Sequence, residues 1–303
     1  MYPRFLGIGA QKAGTTWLHE MLSSHEEIWL PHLKELHYFD HKFPIGERAS
    51  QVQSASDRKA LSSFVSARIG RISAAKVIER LRIRRWPDLL WDIRYQFGDW
   101  SDDWYASLFE NARGRLPGEI TPAYSCLSQE AIFHIHSLMP DAKLILLMRD
   151  PIERAWSHAK MDLAQATGQP TESIDATAYL AHFDSIASRR RGDYLKTVRC
   201  WRAHFSERQL FLGFYDEILS GPENLLARVF EFLEVSATAG HIPSAVRKRV
   251  NAGAEKPIPG SLHRHLAQIY VNDVRELARQ YGQYPQLWLR NCERALDTKL
   301  DAR

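Results

Sequence analysis

Short apolar runs alternate with stretches of helical period along this chain. The run "RFLGIGA" ends in glycines, and "TTWLHEMLSS" after it carries Trp17, Leu18, Met21 and Leu22 at the spacing that lays one apolar stripe along a helix. This unit predicts strand, loop, helix. "EIWL" predicts a second strand, "GRLPGEITP" a third, "KLILLMRD" a fourth and "LFLGFYDE" a fifth, with helical patterns between most of them. Strands alternating with helices imply an α/β fold, a three-layer sandwich whose central sheet is mainly parallel and covered on both faces. Leu144 to Met148 is apolar without alternation, which marks a central strand buried on both sides. Ligands in such sheets gather at the carboxyl ends of strands, so the loop Gly9 to Thr16, Arg149 and Tyr215 are expected on one rim.

From about Leu61 to Tyr105 no strand pattern occurs, and the region is helical, basic and rich in tryptophan (Trp86, Trp91, Trp100, Trp104). It predicts a helical insert over 46–105, on the acceptor side of a single domain spanning 1–303, with 46–63 polar and loop-like. Tyr194, Val198, Trp201 and Phe205 recur at helical spacing and are expected in the core. After Pro259 the stretch "LHRHLAQIYVNDVRELARQYG" predicts a helix stopped by Gly282.

Charge changes the picture only locally. The 303 residues carry 40 Lys+Arg against 36 Asp+Glu, net +4, too mild to call for nucleic acid as a partner. Ten of the basic residues lie between Arg58 and Arg94, against Glu79, Asp88 and Asp92, so the remainder is slightly acidic. A solvated helical face explains such a run, as does capture of an anionic acceptor or contact with a membrane surface. Cys126, Cys200 and Cys292 have no metal-like spacing, and an odd count argues against a disulfide framework, which predicts a reducing compartment. No apolar run long enough for a membrane span occurs, so a cytoplasmic protein is expected. The 13 histidines show no convincing metal pattern, and no metal is predicted.

The candidate chemistry starts in "GIGAQKAGTTWL". Gly9, Gly14 and Thr16 fall on the glycines and the hydroxyl of a Walker A loop, but Thr15 fills the lysine slot and the lysine, Lys12, comes three residues early. A loop of backbone N–H groups feeding a helix binds phosphate through its oriented donors and the helix dipole. A lysine in mid-loop can neutralise the bridging oxygen of a short phospho-anhydride.

The segment "QKAGTTWL" resembles the 5′-phosphosulfate loop of the sulfotransferases that use 3′-phosphoadenosine 5′-phosphosulfate (PAPS), and "LILLMRDPIERAWSHAKM" resembles their 3′-phosphate motif. "PHLKELHYFD", "GEITPAYS" and "FLGFYDEILSGPENLLARVFEFLEV" are similar to further family segments in the same order. The likeness is nearest the carbohydrate and bacterial branch, and it implies a P-loop-like nucleotide-binding fold. It implies that Lys12, Ala13, Gly14, Thr15, Thr16 and Trp17 cradle the 5′-phosphate and sulfonate. It further implies that Arg149 and Ser157 bind the 3′-phosphate, that Tyr215 packs on adenine, and that the 246–256 loop closes over the 3′-phosphate through Arg249 and Lys256. Tyr215 reads equally as a core tyrosine.

Glu35 stands where the resemblance puts a catalytic glutamate, and a partly buried carboxylate with a raised pKa suits removal of an acceptor hydroxyl's proton. A surface Lys34–Glu35 pair is the plain alternative. His37 is the rival base. Asp150, followed by Pro151 and Glu153, reads as a helix N-cap in a capping-box variant. Family members often carry Glu-Lys where this chain has Glu119-Ile120, so Lys12, Lys34 or His37 is expected to supply the missing charge. The expected acceptor is a small-molecule, saccharide or carrier-bound hydroxyl, and the product 3′,5′-ADP. A small-molecule kinase would need Mg²⁺ and a strand-end Asp to hold it, while a non-catalytic nucleotide-binding protein would keep the loop without the chemistry.

Overall fold

The computed structural model describes residues 1–44, 86–248 and 257–297. In chain order the elements are β1 (Phe5–Gly9), α1 (Thr15–Ser23), β2 (Ile28–Trp29), α2 (Tyr38–Lys42), α3 (Trp86–Phe97), α4 (Asp102–Ser107), β3 (Leu116–Ile120), α5 (Gln129–Leu138), β4 (Lys143–Met148), α6 (Pro151–Thr167), α7 (Ala176–Asp184), α8 (Ile186–Gly192), α9 (Tyr194–Arg202), β5 (Leu210–Phe214), α10 (Tyr215–Ser220), α11 (Pro222–Leu233), α12 (Gly260–Tyr281) and α13 (Gln283–Asp297). The strands form one five-stranded sheet in the order β2-β3-β1-β4-β5, and every pairing is parallel.

Successive side chains of a strand point to opposite faces. All five positions of β1 are buried, as are Leu144 to Met148 of β4, so both faces of the sheet are covered there. The middle strand is β1, however, and β4 lies between β1 and β5. An apolar run reports burial on two faces but not rank within the sheet. β1 and β3 approach closely because Gly7 has no side chain: a Cβ there would lie 2.7 Å from Ile120 Cγ1. The Ile120 side chain turns into the sheet's packing.

The capping expectation at Asp150 holds in part. Its side chain accepts from the Ile152 amide at 2.9 Å, but Glu153 pairs with Arg149 at 3.4 Å, outside any reciprocal box. Tyr194, Val198, Trp201 and Phe205 are all buried. Gly282, at φ 68°, ends α12 as expected, and α13 follows at once. Trp288 Nε1 of α13 donates to Asp216 at 3.2 Å, fixing the carboxyl-terminal helices beside β5.

Of the predicted insert, 46–85 lies outside the described residues, including Arg82, Arg84 and Arg85; the remainder holds α3 and α4. Trp91 and Trp104 are core residues there. Their indoles donate to the carbonyls of Leu108 at 2.8 Å and Arg94 at 2.7 Å. No helix among the described residues is long and apolar enough to cross a membrane.

Candidate active site

The carboxyl ends of β1 and β4 open into a cavity of about 1080 Å³. The loop after β1 forms its floor. Gly14 takes the left-handed conformation (φ 91°) that lets the chain turn into α1 without strain, and no side chain caps the helix. The first amides of α1, at Thr15, Thr16 and Trp17, therefore face the cavity end of the helix dipole. Trp17 is buried, and its indole donates to the Val246 carbonyl at 2.9 Å, holding the segment that carries Arg247 and Lys248 on the rim. Ala13 is fully buried and does not line the cavity.

Lys12 sits at φ 69°, uncommon for a residue with a side chain, and its ammonium reaches Met161 Sδ at 3.7 Å. Burial and the nearby Arg149 charge push its pKa down. Arg149 follows β4. Its guanidinium donates to the Lys12 carbonyl at 3.3 Å, pairs with Glu153, and lies 4.6 Å from the centroid of the Tyr215 ring. Tyr215 opens α10 rather than ending β5, and it supports the arginine. Glu153, Ser157 and Lys160 follow one another along a single face of α6, and all three line the cavity. Arg249 and Lys256 lie outside the described residues, whereas Arg247, Lys248 and Pro257 beside them reach the rim.

The wall carries six cationic side chains (Lys12, Lys34, Arg149, Lys160, Arg247, Lys248) against three carboxylates (Glu35, Glu153, Glu172), a net +3 among the described residues. Trp156, Ile174, Tyr179, Ile258 and Leu262 add an apolar side. A cavity of this size, cationic at the loop and apolar beside it, suits a phosphate-bearing ligand with an apolar ring.

Glu35 lies on the wall beside Lys34, with which it forms a short ion pair, and its Oε2 is 3.4 Å from His37 Nε2. His37 Nδ1 is 2.8 Å from Asp40 Oδ2. Both residues are left-handed, Glu35 at φ 66° and His37 at φ 57°. Two expectations are corrected by this arrangement. Burial alone would raise the Glu35 pKa, but the bonds and charges of His37 and Lys34 outweigh it and hold the carboxyl at about 2. Burial alone would lower His37, but Asp40 and Glu35 raise it to about 9. The raised value favours a charged His37 ring as the partner of Glu35 and Asp40. It stands behind Glu35 and does not line the cavity.

Glu119 is buried and accepts from Tyr105 at 2.5 Å, Thr121 at 2.8 Å and Tyr124 at 3.0 Å, away from the cavity wall. Sequence reasoning missed Asp40, Lys160 and Arg247. Lys160 had a signal, its spacing from Glu153 and Ser157 on one helical face. It also missed a cluster of His158, Asp162 and His182, whose third member comes from a different helix.

A family model described as "Sulfotransferase family" matches residues 3–239. Over 135 residues, 43% of this chain and 34% of the relative, the chain is 33% identical to heparan sulfate glucosamine 3-O-sulfotransferase 3B1 of Homo sapiens. Over 287 residues, 86% of this chain and 48% of the relative, it is 22% identical to carbohydrate sulfotransferase 15 of Rattus norvegicus. The chain therefore spans about a third to a half of the length of these curated relatives. In fold it is similar to a sulfotransferase from Alicyclobacillus acidocaldarius, with TM-score 0.62 at 20% identity over 95% of this chain and 99% of the other. It is also similar to mouse sulfotransferase SULT7A1 complexed with PAP, with TM-score 0.50 at 13% identity over 95% and 88%.

Proposed function

We propose, from the premise that this chain belongs to the sulfotransferase family, that it transfers a sulfonate group from PAPS to an acceptor hydroxyl and releases 3′,5′-ADP. The observation that carries this reading is the convergence of the uncapped loop, Lys12 and Arg149 on one cationic cavity with Glu35 on its wall. When bound, PAPS supplies an activated sulfonate on a phosphate leaving group. The α1 amides and Lys12 then hold the 5′ end, and the Lys12 ammonium neutralises the bridging oxygen as the sulfur–oxygen bond breaks. Arg149 and Ser157 hold the 3′-phosphate, with Arg247 and Lys248 on the rim above. Glu35 takes the acceptor's proton as its oxygen attacks sulfur.

For the acceptor we propose a saccharide hydroxyl, supported by the likeness to two relatives, a heparan sulfate glucosamine 3-O-sulfotransferase and a carbohydrate sulfotransferase. No step requires a metal in this scheme. A kinase reading is disfavoured because β4 is followed by Arg149 and because Asp150 is taken up in capping α6. Titration calorimetry with 3′,5′-ADP and with ATP–Mg²⁺, followed by transfer of labelled sulfonate from PAPS to a panel of saccharides, tests the reading. Tighter binding of ATP–Mg²⁺ than of 3′,5′-ADP would overturn it.

A further inference from the structure

Behind the cavity wall, α6 turns a second polar edge toward α7. His158 and Asp162 lie one turn apart on α6, and His182 projects from α7 to meet them. Nε2 of His158 and Nε2 of His182 each stand 3.1 Å from the same Asp162 oxygen, Oδ2. The two rings meet edge to face with centroids 5.0 Å apart, and the three ligand atoms all lie within 4.8 Å of one another. A tetrahedral zinc ion with bonds of about 2.0–2.1 Å holds its ligand atoms roughly 3.3 Å apart. The two nitrogen–oxygen distances are already close to that spacing.

We infer that His158, Asp162 and His182 form a binding site for a single divalent transition cation of the zinc class, joining α6 to α7. Two imidazoles and one carboxylate suit zinc, cobalt or nickel and are a poor set for magnesium or calcium. The His158 ring is buried at 3% exposure, and His182 at 13% is nearly so. Asp162, at 39%, faces solvent and leaves a path of entry. Burial pushes the His158 pKa down against the pull of Asp162, in the direction that suits a ligating nitrogen. Asp162 is held below the usual carboxylate range despite burial, through His182 and His158.

Two features limit affinity. Arg154 and Arg191 are cations near the site, and the Nδ1 atoms of both rings are buried without a hydrogen-bond partner. Outer partners on a metal-bound histidine typically strengthen binding by about 10- to 100-fold. Binding weaker than that of closed structural sites is the expectation. The second histidine cluster, His25, Glu27 and His241, is the weaker candidate, because both nitrogens of His25 are engaged, with the Ser236 carbonyl at 2.9 Å and the Glu27 amide at 3.2 Å. Asp162 is one of the charges acting on Lys12, so an ion on Asp162 also alters the field at the cavity floor.

This inference rests on no assignment of activity, and its test needs none. The full chain, stripped with a chelator, is titrated with Co²⁺ while the visible absorption of the tetrahedral ion is followed, and with Zn²⁺ by calorimetry and thermal melting. One saturable equivalent is expected in the native chain, with a rise in melting temperature on Zn²⁺ addition. His182→Ala and Asp162→Asn should each weaken Co²⁺ binding by about tenfold or more, whereas His241→Ala should leave it unchanged. Asp162→Asn preserves size and shape at a part-exposed position, so it decides the matter if His182→Ala folds poorly. Absence of saturable binding in the native chain, or a cobalt band that survives Asp162→Asn but not His241→Ala, would overturn the inference.

Discussion

Arg149 Nη1 donates to the Lys12 carbonyl at 3.3 Å, tying the end of β4 to the loop that follows β1. The contact places two cations side by side, and the Arg149 charge helps depress the Lys12 pKa. Like charges held together in a half-buried cavity favour an anion between them. Arg149→Ala should weaken 3′,5′-ADP binding by about 2 kcal/mol, roughly 30-fold, and 5′-AMP binding much less. Calorimetry with the two nucleotides checks this, and equal losses would remove Arg149 from the 3′-phosphate.

The loop and Arg149 were legible in the sequence because their signals are local: a glycine-ended apolar run, a helical stripe beginning at Trp17, and a cation directly after a buried strand. The charge states of Glu35 and His37 were not, since they depend on Lys34 and Asp40 meeting them through two left-handed backbone turns. The partners of Trp91 and Trp104 were not legible for a related reason. Helical period tells which side of a helix is apolar, but not that Leu108 and Arg94 carbonyls wait there for the indoles. His182 joins His158 and Asp162 only through the packing of α7 on α6, which leaves no trace in spacing along the chain.

Trp17 links the loop to the rim. The change Trp17→Phe keeps the buried ring and removes the 2.9 Å bond to the Val246 carbonyl. A buried carbonyl left without its donor costs about 1–3 kcal/mol. Urea unfolding should show a loss on that scale, and 3′,5′-ADP affinity should fall several-fold, because the rim segment carrying Arg247 and Lys248 loses its anchor. An unchanged affinity would mean that those two residues do not close over the nucleotide.

Asp150 gives the fold a pH dependence of unusual sign. Burial pushes its carboxyl up to about 7, above the value of about 3.9 in an unfolded chain. The folded state therefore holds the proton more tightly, so this group's contribution is full below about pH 4 and is lost as pH rises through about 7. The exchange Asp150→Asn keeps an N-cap oxygen for the Ile152 amide and cannot titrate. Denaturant midpoints of the native chain should fall between about pH 4 and pH 7 relative to those of Asp150→Asn and level off above that. Parallel curves would show that the carboxyl is not protonated in the folded protein.

The pair Glu35 and His37 predicts a wide pH plateau for turnover. Glu35, held at about 2, stays ionised through the acid range, and His37, raised to about 9, stays charged until pH climbs past that value. In stability terms the His37 contribution is full below about 6.5 and is lost as pH rises through about 9, while that of Glu35 is present above about 4.5 and is lost as pH falls through about 2. A base this acidic is poorly matched to a hydroxyl. Lys34 lines the same wall, so an anionic donor bound there would compete with Glu35 for its ammonium. Loss of that partner lets the carboxylate's pKa rise when the donor is bound. Glu35→Gln should therefore lower kcat by about 10²-fold or more with 3′,5′-ADP affinity nearly unchanged. His37→Asn removes the cation while leaving Glu35 in place, and it should move the acid limb of the kcat profile upward toward the ordinary carboxylate range. A profile of His37→Asn that coincides with the native one would show that His37 does not set the protonation of Glu35. Full turnover in Glu35→Gln would move the search for the base to another group on the wall.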